Sequence, residues 1–170
     1  MTSPAQPQVT ERAEQHYVGI RGRVTMDTIP IIADRFPELL DWLAQHQIEP
    51  AGPPMLKYNL FDGDGILEIE AAVPVTGAVD TASSDAVISG TVPAGRYAST
   101  VHLGHFEGLP AATGRLLDWT SEQQLRFEVA DTPTGERWAG RLEIYHTDPR
   151  LEPDPSNWTT ELAFLLKPAT

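Results

Sequence analysis

The chain has no cysteine, and it has no Gly-x-Ser-x-Gly elbow, phosphate loop or dinucleotide fingerprint, so any chemistry falls to carboxylates, phenols and histidines. Two stretches concentrate them. In Leu67-Glu68-Ile69-Glu70-Ala71-Ala72-Val73 the glutamates alternate with apolar residues, as strand side chains do, so Glu68 and Glu70 share one face. In Leu142-Glu143-Ile144-Tyr145 the same alternation sets Glu143 and Tyr145 on one face. If helices cover the apolar faces of both strands, all four polar side chains point to the open face and can converge. A lone strand glutamate is ordinarily a solubilising residue. Glu143 departs from that reading, because Leu142, Ile144, Tyr145 and Trp138 surround it in sequence and an ionised carboxylate there needs a cation or hydrogen-bond donors. An aromatic-walled pocket holding one or two carboxylates suits cationic, planar organic ligands. Trp138 and Trp158 border the strands and loops of such a cleft, with Trp158 the stronger candidate for its wall. His102 and His105 have no acidic partners at metal-ligand spacing, so neither a metal site nor a cofactor is expected.

The elements that must position these groups repeat. Tyr17, Ile29-Pro30 and Arg35 return as Tyr97, Leu109-Pro110 and Arg115, each 80 positions on, and Leu39-Leu40-Asp41-Trp42 returns as Leu116-Leu117-Asp118-Trp119 at 77. A three-residue deletion matching Phe36-Pro37-Glu38 reconciles the offsets. Within the first half, a strand at Tyr17–Val24 precedes a helical pattern of Ile32, Phe36, Leu39, Leu40 and Leu43, which Pro37 should kink or split. Met55–Phe61 and Ile66–Val75 then flank Asp62-Gly63-Asp64-Gly65, a hairpin turn. The second half repeats the order, with strands expected at Trp138–Tyr145 and Thr159–Leu166 around a Pro- and Asp-rich loop at Asp148–Ser156. The expected fold is α+β: two β-α-β-β units, about residues 16–75 and 92–168, form one antiparallel sheet with helices on one face and a cleft on the pseudo-two-fold axis. Residues 1–15 are polar and Pro-containing and are expected as a disordered tail, leaving 16–170 as a single domain.

A length of 170 residues suits that one domain, and a formal net charge of -12 argues against a basic nucleic-acid or membrane-binding face. No apolar run approaches the length of a membrane span and no secretion signal is evident, so a cytoplasmic protein, monomer or weak dimer, is expected.

The residues also resemble the GyrI-like small-molecule-binding family, related to the effector-binding domains of multidrug-responsive transcription regulators. The resemblance spans roughly 16–168 and rests on ordered pieces: Gly52-Pro53-Pro54 followed by Tyr58, Glu68-Ile69-Glu70 before Val73-Pro74-Val75, Pro93-Ala94-Gly95-Arg96-Tyr97, His102-Leu103-Gly104, Glu143-Ile144-Tyr145, Asp148-Pro149 and Trp158-Thr159-Thr160-Glu161. His105-Phe106 departs from the Pro-Tyr common after that glycine. The resemblance implies a duplicated fold with a ligand cleft, an acidic residue at Glu143 that meets cationic aromatic drugs, Tyr145 and Trp158 as companions and Glu70 as a second acidic position. With Glu68, Tyr58, His102 and Trp138 these make the expected ligand-binding set. About fifteen residues before the first strand are too few for a helix-turn-helix, so a stand-alone ligand domain is expected. Drug or toxin binding and resistance is the first function implied. The alternative is a hydrolase that opens the cyclopropane rings of DNA-alkylating natural products, with Glu143 or Glu70 activating water and Tyr145 donating a proton. A protein-directed modulator of DNA gyrase is the third.

Overall fold

The structure, a computed structural model, describes residues 6–168. Strands β1 (Gln8–Arg12) and β2 (Gln15–Val24) lead into helices α1 (Pro30–Ala33) and α2 (Phe36–Gln45), then strands β3 (Met55–Phe61) and β4 (Leu67–Pro74). The second half runs β5 (Ile88–Val92), β6 (Gly95–Leu103), helix α3 (Leu109–Glu122), the ribbon β7 (Val129–Thr132) and β8 (Gly135–Trp138), then β9 (Arg141–Tyr145) and β10 (Thr159–Leu165). The Pro37 expectation holds: α1 stops at Ala33 and α2 restarts at Phe36 with Pro37 in its first turn, where the missing N–H costs nothing. Asp62 closes the hairpin by accepting bonds from the N–H groups of Asp64 (2.8 Å) and Ile66 (2.9 Å), and Gly65 takes φ +85°, a conformation that favours glycine.

Eight strands pair antiparallel in the order β1-β6-β10-β9-β3-β4-β2-β5, with the β7–β8 ribbon attached to β3. That order is a palindrome of the two halves, with the pseudo-two-fold axis between β3 and β9. The leading strand of each half crosses over: β1 pairs with β6 and β5 with β2. Residues 8–12 therefore correct the expectation of a disordered tail over 1–15; residues 1–5 lie outside the described residues. Backbone pairing orders β1, from Gln8↔Ser99 to Arg12↔Gly95, helped by an Arg12–Glu161 ion pair at 3.2 Å. A strand held this way needs little apolar content of its own. A second correction concerns Trp138–Tyr145, which is not one strand: it breaks at Ala139-Gly140, so that β8 turns to β7 and β3 while β9 joins β10.

Both sheet faces are apolar, which decides where the site lies. One face carries the helices, with Leu39 and Leu43 of α2 on Val18, Ile20 and Val73, and Leu116 of α3 on Ala98, Leu162 and Phe164. The opposite face of the curled sheet buries a second layer that includes Tyr17, Met55, Tyr97, Leu142, Ile144 and Leu165. Gly90 meets the Tyr17 ring so closely that a Cβ there would stand 2.5 Å from the hydroxyl and 2.6 Å from Cζ. Gly90→Ala is expected to cost about 1–3 kcal/mol, read as a lower urea midpoint. No helix among the described residues is long and apolar enough to cross a membrane.

Candidate functional site

The central strands meet in the register Met55↔Ile144, Leu56↔Glu143 and Lys57↔Leu142. Leu56 and Glu143 thus face one another at the pseudo-axis, and Tyr58 and Tyr145, each two residues further along, share their face by strand alternation. This is the helix-covered face. A cleft of about 1130 Å³ opens over it between α1–α2 and α3. Leu56, Tyr58, Arg141, Glu143 and Tyr145 form its floor, Ile29, Phe36 and Leu40 one wall, and Phe106, Leu109 and Pro110 the other. Pro53-Pro54 and Thr147–Arg150 make the rim. Phe36 and Phe106 both stand edge-on to the Tyr145 ring, at centroid distances of 6.2 and 5.6 Å.

Glu143 receives a hydrogen bond on each oxygen: the Tyr145 hydroxyl donates to Oε1 at 2.5 Å and the Tyr58 hydroxyl to Oε2 at 3.3 Å. Burial pushes the Glu143 pKa above the usual carboxylate range, and the two phenols, Arg141 and His102 pull back only part of that rise. Burial also pushes both phenols far above their ordinary value, helped by the adjacent carboxylate, so they remain protonated donors. Arg141 is lowered to about 10, chiefly by burial. Its guanidinium sits 4.5 Å from the ring centroids of Phe61 and Trp138 and 4.6 Å from that of Phe164. Tyr145→Phe removes the shorter bond to the carboxylate, so the Glu143 pKa is expected to rise further. The carboxyl should then ionise at higher pH, as an NMR titration of its carbon would show.

A family model described as the GyrI-like small molecule binding domain matches residues 5–167. The chain belongs to the GyrI-like family. No curated protein matches it. Among solved structures, the GyrI-like chain is similar to EcmrR in a complex with DNA, at 16% identity and a TM-score of 0.73 over 96% of this chain and 58% of that one. It therefore spans little more than half of that EcmrR chain. It is also similar to SAV2435 bound to tetraphenylphosphonium (14% identity, TM-score 0.59, covering 95% of this chain and 94% of that one) and to a hydrolase from Listeria innocua (14%, 0.59, 98% and 94%). At these identities the likeness speaks for the fold.

Of the residues expected at the site, the GyrI-like fold brings Glu143, Tyr145 and Tyr58 together and separates the others. Glu68 and Glu70 lie on the opposite side of the sheet. The pairing Leu56↔Ala71 puts Ala71 on the cleft face and its neighbour Glu70 on the other. The expected convergence assumed that Leu142 and Ile144 face the helices, whereas they belong to the second apolar layer and Glu143 faces the helices instead. Glu70 is fully buried: Tyr17 Oη lies 2.9 and 3.0 Å from its two oxygens, Asn59 Nδ2 donates at 2.7 Å, and Arg21 and Lys57 stand at 3.5 and 3.7 Å. Glu68 pairs with Arg137 at 3.5 Å.

Trp138 lies beneath Arg141 and lines a small polar hollow on that far side, not the cleft. Trp158 donates to the Glu152 carbonyl at 2.7 Å and packs against Phe106 at 4.8 Å, so it backs the cleft wall without lining it. His102 makes a 2.9 Å bond with the His105 carbonyl under Gly108 and makes no hydrogen bond with Glu143. Sequence reasoning missed Arg141, Phe36, Phe61 and Phe164. For Arg141 a signal was present, since it lies two residues before Glu143 on the same strand face.

Proposed function

We propose that this GyrI-like protein binds hydrophobic, cationic aromatic small molecules in the cleft between its helices, sequestering drug- or toxin-like compounds, with Glu143 as the counter-charge and Tyr58, Tyr145, Phe36 and Phe106 as the aromatic surround. The observation that carries this reading is a carboxylate set on the floor of an apolar, aromatic-lined cleft with a neutral donor on each oxygen. There a ligand cation meets the carboxylate in a medium of low dielectric, where the attraction far exceeds its value in water, and ring faces add cation–π attraction. The tetraphenylphosphonium bound to SAV2435 is a ligand of this chemistry on a similar fold.

Hydrolysis is the second reading, favoured by the juxtaposition of a carboxylate of raised pKa with two phenols and by the similar Listeria innocua hydrolase. Glu70, on the far face, has no part in it. Glu143 would take a proton from water as its oxygen attacks a strained cyclopropane carbon; the C–C pair would pass into the conjugated ring, generating a phenolate that Tyr58 or Tyr145 meets. Two measurements separate the readings. Calorimetry with tetraphenylphosphonium is expected to show saturable one-to-one binding with the ligand recovered unchanged. Mass spectrometry of a cyclopropane-bearing aromatic then reads enzyme action directly: a water-added product formed by wild type and absent with Glu143→Gln would make the protein a hydrolase and overturn simple binding.

A further inference from the structure

On the binding reading of the cleft, the charged group that stands beside Glu143 on its floor is Arg141. Arg141 and Glu143 project from one face of β9, two residues apart, so their Cα atoms are separated by about 6.6 Å along the strand. Aromatic rings fix the guanidinium at 4.5 to 4.6 Å from three centroids, with the Tyr58 ring at 6.0 Å. Ring faces offset its charge, but its five in-plane N–H donors need lone pairs. Among the described residues Arg141 has no hydrogen bond or ion pair with any acceptor, whereas Arg21, Arg35, Arg137 and Arg150 each pair with a carboxylate. The nearest carboxylate along its own strand face, Glu143, is engaged by Tyr58 and Tyr145. A planar fork held rigid by rings at the floor of an apolar cleft is pre-organised for a bidentate acceptor.

We infer that the cleft selects dipolar aromatic ligands, with a cationic part over Glu143 and a carboxylate or similar anionic acceptor at Arg141. A ligand with only positive charge meets the Arg141 cation close to its counter-charge and is held less well on that account. Removing Arg141 should therefore act in opposite directions on the two ligand types, which a residue with a merely structural role would not do.

The test uses rhodamine 110, a zwitterion at neutral pH, and its methyl ester, which keeps the xanthylium cation and lacks the carboxylate. Fluorescence anisotropy with wild type is expected to show the free acid bound about tenfold tighter than the ester. Arg141→Met, which keeps an unbranched apolar stem under the rings, should weaken the acid, strengthen the ester and abolish the preference. Arg141→Lys, with the charge but not the fork, should fall between. An ester bound by wild type as tightly as the acid, or an unchanged ratio in Arg141→Met, overturns the inference. The wild-type comparison decides the matter even if the variants fail to fold. Binding of the ester and tetraphenylphosphonium without a carboxylate preference would leave the proposed function standing and this inference refuted; no binding of any of the three would refute both.

Discussion

Glu143→Gln is expected to lower the affinity for tetraphenylphosphonium by about tenfold to a hundredfold, about 1.4 to 2.8 kcal/mol, while leaving the protein at least as stable as wild type. The amide keeps the shape and one acceptor for Tyr145 or Tyr58, so the cleft walls stay in place. What is lost is the charge, and in an apolar cleft that charge is the main attraction for a ligand cation. Stability moves the other way because a carboxylate whose pKa is raised by burial disfavours the folded state when ionised. The pH dependence follows by linkage. Folded Glu143 binds its proton more tightly than the unfolded chain does, so its contribution is most favourable below the unfolded pKa of about 4.3 and is lost as pH rises through the higher folded value. Wild-type Tm, measured relative to Glu143→Gln, should thus fall with rising pH over that window, while cation affinity rises. A Tm difference that stays flat from pH 4.5 to 8 would contradict the assignment of a raised Glu143 pKa.

Removing Glu70 is expected to produce the largest loss of stability, about 3–5 kcal/mol for Glu70→Ala, with ligand affinity of the folded fraction unchanged. Glu70 is fully buried and is the carboxylate within 4 Å of Lys57, itself 9% exposed. Burial already holds Lys57 below its ordinary pKa, with Glu70 as the chief opposing influence. Without Glu70 the ammonium keeps the Asn59 side-chain oxygen but loses its counter-charge, and the Tyr17 hydroxyl and Asn59 Nδ2 lose their buried acceptor, a cost well above that of an exposed ion pair. Glu70→Gln with Lys57→Met, which removes both charges together, should recover much of the loss, as urea midpoints would show. If Glu70→Gln instead weakened cation binding as strongly as Glu143→Gln, the separation of the two glutamates onto opposite faces would be wrong in its functional meaning.

Strand parity was legible in the sequence: Glu143 with Tyr145, and Glu68 with Glu70, do share faces as the alternation requires. The choice of face was not. A one-sided sheet would turn Leu142 and Ile144 toward the helices, but this sheet also buries Tyr17, Tyr97 and Leu165 on its other side, so apolar residues no longer mark the helical face. The 80-residue offset identified the duplication, and it extends to β1 and β5, where Gln8 and Ile88 also lie 80 apart, but composition hides β1 because its partner backbone, not apolar burial, orders it. Arg141 was half legible: its place on the Glu143 face follows from strand alternation, but its aromatic setting does not. A strand arginine reads as solvated, and only the arrival of Phe61, Trp138 and Phe164 from separate strands makes it a half-buried, aromatic-walled cation. Trp158 shows the converse, an aromatic residue near the cleft that is spent on packing Phe106.

On the proposed reading the ligand site is the helix-side cleft over Glu143. The most direct test is a crystal structure of the protein with tetraphenylphosphonium. Density for the cation among Phe36, Tyr58, Phe106 and Tyr145, with its phosphorus facing the Glu143 carboxylate, is the predicted result. A cation lodged instead in the polar hollow beside Lys57 and Arg137 on the opposite face would contradict it.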